Sequence, residues 1–110
     1  MRIISRTEFL AQPSGTLFYK WPTGGGTTVA IKQKTIAQDY FELDINLPTP
    51  VVNGETLMPT DDVVENESFQ IQYAIQRDGL FDMEQQYCIF EEKDVKQFMA
   101  LLQENLLFLK

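Results

Sequence analysis

The stretch KWPTGGGTTVAIK, Lys20 to Lys32, decides the fold because it admits two incompatible readings. Three successive glycines, Gly24, Gly25 and Gly26, suggest a phosphate cradle. Such a cradle needs glycines that lead from a strand into a helix, followed by Lys-Ser/Thr. Here the glycines run into Thr-Thr-Val-Ala-Ile, which is strand sequence. The tetrapeptide Val-Ala-Ile-Lys also matches the lysine strand of protein kinases. In kinases, however, a whole strand separates the glycine loop from that lysine. Lys32 follows Gly26 by six residues, the chain has no histidine to form His-Arg-Asp, and Asp-Phe-Gly is absent. The segment therefore reads as a connection between two strands, with Pro22 bending the chain and the glycines permitting positive φ.

Outward from that connection, TLFYKW (16–21) and TTVAIKQKT (27–35) read as the flanking strands. In the first, Leu17, Tyr19 and Trp21 share one face, and Phe18 and Lys20 the other. DYFELDINL (39–47) alternates as a half-buried strand, with Phe41, Leu43, Ile45 and Leu47 opposite Tyr40, Glu42, Asp44 and Asn46. Ser5 and Glu8 form a capping-box pattern that starts a short helix over 6–12, stopped by Pro13 and Gly15. Residues 48–68 hold three prolines, Asn53-Gly54 and the acidic run DDVVENE, and read as one long irregular acidic loop, with room for a short strand near Thr56–Met58. FQIQYAIQ (69–76) and LFDMEQQYCIF (80–90) read as a hairpin closed by Asp78-Gly79. The stretch 91–108 reads as an amphipathic helix, with Val95, Phe98, Met99, Leu102 and Leu106 at helical spacing. The sum is a single α+β domain over 1–110: a short N-terminal helix, a mainly antiparallel sheet of about five strands, and a C-terminal amphipathic helix packed on it.

Composition narrows the function classes. The 110 residues carry 9 Lys/Arg against 16 Asp/Glu, a net charge of −7. The first half is balanced and the surplus lies wholly in residues 56–110. Direct nucleic-acid binding is not expected from such a chain, since phosphate neutralisation needs clustered cations. No apolar run reaches the roughly 20 residues needed to span a bilayer. MRIISRTEF lacks the apolar stretch of a signal peptide, and Cys88 is the only cysteine, so a cytoplasmic setting is expected. Without histidine, the usual triads, Cys-His pairs and conventional zinc sites cannot form. No cofactor or metal is assigned. Glu42, Asp44 and Asn46, spaced about 6.6 Å apart along one strand face, have oxygen ligands for Mg²⁺ or Ca²⁺, or form a solvated face. Cys88, between Tyr87 and Ile89, reads as an inert buried thiol.

Two segments carry a family resemblance. Ile4 to Leu10 with Pro13, Gly15 and Thr16, and Arg77 to Gly79 with Phe81 and Asp82, follow the pattern I-S-R-x-E-F-L…P-x-G-T…R-D-G-x-F-D. The pattern resembles that of a family of small uncharacterised proteins encoded by bacteriophages and prophages. The resemblance covers under half of the chain and leaves out GGGTTVAIKQK and the acidic loop. It implies a phage accessory protein acting in the cytoplasm of an infected bacterium, and it carries no catalytic residues.

The expected function is therefore that of a small acidic, non-enzymatic binding protein that engages and inhibits a host bacterial defence or regulatory protein. The candidate contact surface is Trp21 with Gly24, Gly25 and Gly26, together with Asp61, Asp62, Glu65 and Glu67. An alternative is a sponge for a nucleotide signal, with Lys20, Lys32, Lys34 and Arg77 holding phosphates, across a homo-oligomer interface if one exists. A third reading is a minor structural or assembly component of a phage particle.

Overall fold

The computed structural model describes residues 1–24, 28–46, 48–58, 61–62 and 65–109. The chain runs β1 (Arg2–Ile4), α1 (Arg6–Leu10), β2 (Leu17–Trp21), β3 (Ala30–Ile36), β4 (Asp39–Asp44), β5 (Thr49–Val52), β6 (Glu55–Thr56), β7 (Gln70–Gln72), β8 (Ile75–Arg77), β9 (Gln86–Ile89) and α2 (Glu92–Asn105), then a turn of 3-10 helix at Leu107–Leu109. Six strands form one sheet in the order β1-β9-β2-β3-β4-β8, and three form a second in the order β6-β5-β7. Every resolved pairing is antiparallel. The α+β class is as expected, with nine strands in two sheets among the described residues where about five in one were anticipated.

The strands on either side of the glycine segment are neighbours. β2 pairs antiparallel with β3, Leu17 opposite Ile31 and Phe18 opposite Ala30, and among the described residues between Trp21 and Ala30 there is no helix. The short first helix starts at its predicted cap. The Glu8 N–H donates to Ser5 Oγ (3.2 Å), and the Ser5 N–H donates to Glu8 Oε1 (3.3 Å). These bonds satisfy donors that a helix N-terminus otherwise leaves open.

Directly opposed residues share a sheet face, so the register assigns the core. One face carries Ile4, Phe18, Ala30, Lys32, Tyr40, Tyr87 and Ile89, all buried. Phe9 of α1 covers it, stacked on Tyr87 at 4.0 Å and packed against Phe18 and Tyr40 at 4.6 and 4.9 Å. The other face carries Leu17, Tyr19, Trp21, Ile31, Phe41 and Leu43, half-buried, with Ile75 exposed at the edge and Cys88, opposite Tyr19, buried. On β4 the sealed side is therefore that of Tyr40, and the aliphatic row is the one left half open. Cys88 is buried, as expected.

Two sequence expectations are corrected. Residues 48–68 are not one irregular connection: β5 and β6 form a hairpin around Asn53 and Gly54, with φ of 51° and 80°. Both positive angles match the tight turn that Asn-Gly favours. The second correction concerns Asp78-Gly79, which does not close a hairpin between 69–76 and 80–90. β8 pairs with β4, while β9 begins at Gln86 and pairs with β1 and β2. The Asp78 side chain has a different task, described next.

Candidate functional site

Charged groups converge beneath α1. Arg6 is 1% exposed, and its guanidinium donates to Asp78 Oδ2 (3.1 Å), Tyr87 Oη (2.8 Å) and the Gln38 carbonyl (2.8 Å). It also lies 3.6 Å from Asp39 Oδ1. Asp39, fully buried, accepts from Arg77 Nε and from the Gly79 N–H at 3.1 Å. Lys20 Nζ donates to the second oxygen of Asp78 at 2.7 Å. Two carboxylates and three cations thus join α1, the β3–β4 turn, β2 and the turn at 78–79. Buried charges persist only when paired and hydrogen-bonded in this way, so the arrangement reads as a tie between distant segments.

The tie has a pH signature. Burial opposes ionisation of Asp39, yet hydrogen bonds from Arg77 and from the Tyr40 and Gly79 amides, with the Arg77 charge, hold its carboxyl below the ordinary range. Burial likewise opposes ionisation of Asp78, and the Lys20 and Arg6 contacts outweigh it. A lowered folded pKa gives stability that is complete above the unfolded value, about 3.9, and lost as pH falls through the folded one. Glu42 acts oppositely. Burial pushes its carboxyl up against the hydrogen bond from Gln76, so its protonation relieves a cost as pH falls. The melting temperature is expected to hold or rise slightly down to about pH 5 and then drop steeply below about pH 4. Asp78→Asn should flatten that acid limb. A melting temperature that stays level from pH 5 to pH 2 (about the range over which such pairs titrate) contradicts the assignment.

The four cations proposed for phosphate do not converge. Lys20 and Arg77 are paired with Asp78 and Asp39. Lys32 points into the core, 1% exposed, its ammonium donating to Thr35 Oγ1 (2.7 Å) and the Gln33 carbonyl (3.2 Å), and burial lowers its pKa. Lys34 is exposed on the opposite side of β3, over the Phe41 ring at 5.8 Å.

Trp21 ends β2, partly exposed, and its carbonyl accepts from Gln85 Nε2 (2.8 Å). Gly24 is exposed. Gly25 and Gly26 lie outside the described residues. Asp61, Asp62, Glu65 and Glu67 are all exposed. Asp61 is bonded to Met58: its carboxylate accepts from the Met58 N–H (2.7 Å), and its own N–H donates to the Met58 carbonyl (2.9 Å). These acids lie between β6 and β7 of the β6-β5-β7 sheet. Between residues 35 and 76 the sequence has no Lys or Arg. Met58, Ile71 and Tyr73 stand exposed in the same segment. The lobe is therefore anionic with apolar anchors. Among the described residues no group of three or more Cys, Asp or Glu is placed to hold a metal ion.

The sequence reading missed the open sheet face and the exposure of α2. Period-two and helical patterns show that a face is apolar, but not whether another element covers it. Comparison with family models, curated proteins and solved structures returns no match.

Proposed function

We propose that the protein is a small acidic binding protein without catalytic activity, whose β6-β5-β7 lobe docks on a cationic surface of another protein. The observation that carries this reading is the lobe itself. Asp61, Asp62, Glu65 and Glu67 are all exposed on a segment with no compensating cation, beside exposed Met58, Ile71 and Tyr73. Aromatic and Met anchors within a charged rim form a usual interface composition. Burial of Arg6 and Asp39 in a structural tie supports a scaffold role for the most concentrated polar groups, and Trp21, half-exposed at the end of β2, supports a contact role.

With the phage-family resemblance, the partner proposed is a host bacterial defence or regulatory protein that this protein inhibits. The test is capture of a bacterial binding protein by the wild type and by the variant D61K/D62K/E65K/E67K. Charge-led docking should be lost in the variant while its melting temperature stays within a few degrees, and wild-type binding should weaken as salt rises. Equal capture by both proteins removes the lobe as the contact surface.

A further inference from the structure

Among the described residues two apolar surfaces are left partly uncovered, and they are of kinds that pack together. The first is the sheet face turned away from α1. Leu17, Ile31, Leu43 and Ile75 cross β2, β3, β4 and β8 in one row. Ile75 is 63% exposed, whereas core residues on the α1 side are at most 4% exposed. The second surface is α2, whose 14 residues include no buried one. Its Phe98, Leu101 and Leu102, and Leu106 just after it, are all exposed. α2 meets the sheet at a corner, Phe98 against Phe90 at 6.5 Å and Phe90 against Tyr19 at 6.1 Å. An amphipathic helix of this length is marginal in water unless its apolar side is covered.

The exposed area supports the same conclusion. The accessible surface is 8143 Å², against about 6,200 Å² for a folded monomer of this mass. The excess of about 1,900 Å², spread over the small sheet as well as these two faces, is more than twice the roughly 800 Å² that one partner contributes to a standard interface. The radius of gyration, 16.5 Å, also exceeds the roughly 13 Å of a compact domain of this length.

Charge does not oppose helix against sheet. α2 and its leading residue carry Glu91, Glu92, Asp94 and Glu104 against Lys93 and Lys96, with Glu91 and Asp94 paired to the Met1 ammonium and Glu92 to Lys96. The open sheet face is edged by Lys34, over the Phe41 ring, and by Arg77, paired across from Phe41. Arg77 is already paired with Asp39, so the contact that a helix laid on this face can add between two copies is Glu104 with Lys34. A single copy supplies both the helix and the sheet face that each side requires.

We propose that two copies of this chain pair about a two-fold axis, α2 of each lying on the open Leu17–Ile31–Leu43–Ile75 face of the other. Under such symmetry every helix-on-sheet contact is made twice. The pairing does not depend on the partner of the anionic lobe, and the two can fail separately: the quadruple Lys variant should leave the mass in solution unchanged.

Sedimentation equilibrium across the micromolar range tests it. The wild type is expected at twice the chain mass of 12.7 kDa. Leu101→Glu on α2 and Ile75→Glu on β8 should each give a monomer with unchanged circular dichroism, since both side chains are more than half exposed, 55% and 63%. Met99→Glu, at a site also 55% exposed, is the second helix variant should Leu101→Glu lose its fold. A monomeric wild type overturns the proposal, even where another protein binds the same face. A dimer that persists in a folded helix variant or in Ile75→Glu overturns it too.

Discussion

Replacing Arg6 with methionine is expected to remove roughly 3–5 kcal/mol of folding stability, the usual cost of breaking a buried ion pair from one side. Methionine retains an unbranched apolar stem, so the change reports the guanidinium more than lost volume. What the substitution leaves behind sets the size of the effect. Asp78, 2% exposed, keeps Lys20 but loses the 3.1 Å bond from Arg6. Asp39 keeps Arg77 and the Gly79 amide but loses the cation 3.6 Å away. The Tyr87 hydroxyl and the Gln38 carbonyl lose donors at 2.8 Å. These surviving partners place the expectation toward the lower end of the range. A domain of this kind has about 5–15 kcal/mol in total, so the variant should unfold at markedly lower urea. Lys96→Met is the matched control. Its pair with Glu92 is exposed on both sides, 73% and 82%, and such pairs contribute about 0.5 kcal/mol or less. Equal urea midpoints for Arg6→Met and the wild type show that the tie under α1 does not hold the fold.

The same residues explain which parts of the architecture were legible in the sequence. The Ser5/Glu8 cap, the strands around the glycines and the C-terminal helix depend on neighbours within a few positions, and all three were read correctly. Asp78-Gly79 looks like a hairpin turn by the same local logic, and Gly79 does adopt a positive φ of 69°. Its pairing was nevertheless misread, because the Asp78 carboxylate is held by Arg6, 72 positions away, and by Lys20, 58 positions away. No period-two pattern reports a contact at that separation. The sealed side of β4 is a similar case. The apolar row Phe41 and Leu43 has the stronger alternation, but α1 lies over Tyr40, because the Phe9 ring packs edge-on against it and Arg6 finds its carboxylates there. The β5–β6 hairpin had its signal in Asn53-Gly54, masked by Pro50. Proline argues against an inner strand, yet Pro50 lies in the middle strand of the small sheet, opposite Ile71. The anionic lobe was legible as composition, since charge is read directly from residue identity. The platform that displays it required the strand pairing.

Phe9→Ala is expected to cost roughly 3–5 kcal/mol, the range for truncating a buried aromatic. Phe9 is fully buried and is the residue through which α1 meets three aromatic rings of the sheet. Its ring lies nearly parallel to Tyr87 at 4.0 Å, tilted to Phe18 at 4.6 Å and edge-on to Tyr40 at 4.9 Å. A helix of five residues has almost no stability of its own, because nucleation alone consumes what its few hydrogen bonds return. It is held in place by Phe9 from the core and by Arg6 from the charge tie, three residues apart on neighbouring turns. The two contributions should therefore not add. Once either anchor is lost, α1 is partly released, and the second substitution removes less than it would from the intact protein. The measurement is a double-mutant cycle by urea titration with Arg6→Met, Phe9→Ala and the pair. A coupling of about 0.5–3 kcal/mol is expected for residues in one shared unit. Strict additivity would mean that the aromatic stack and the ion network secure different parts of the molecule, and that α1 is not the element joining them.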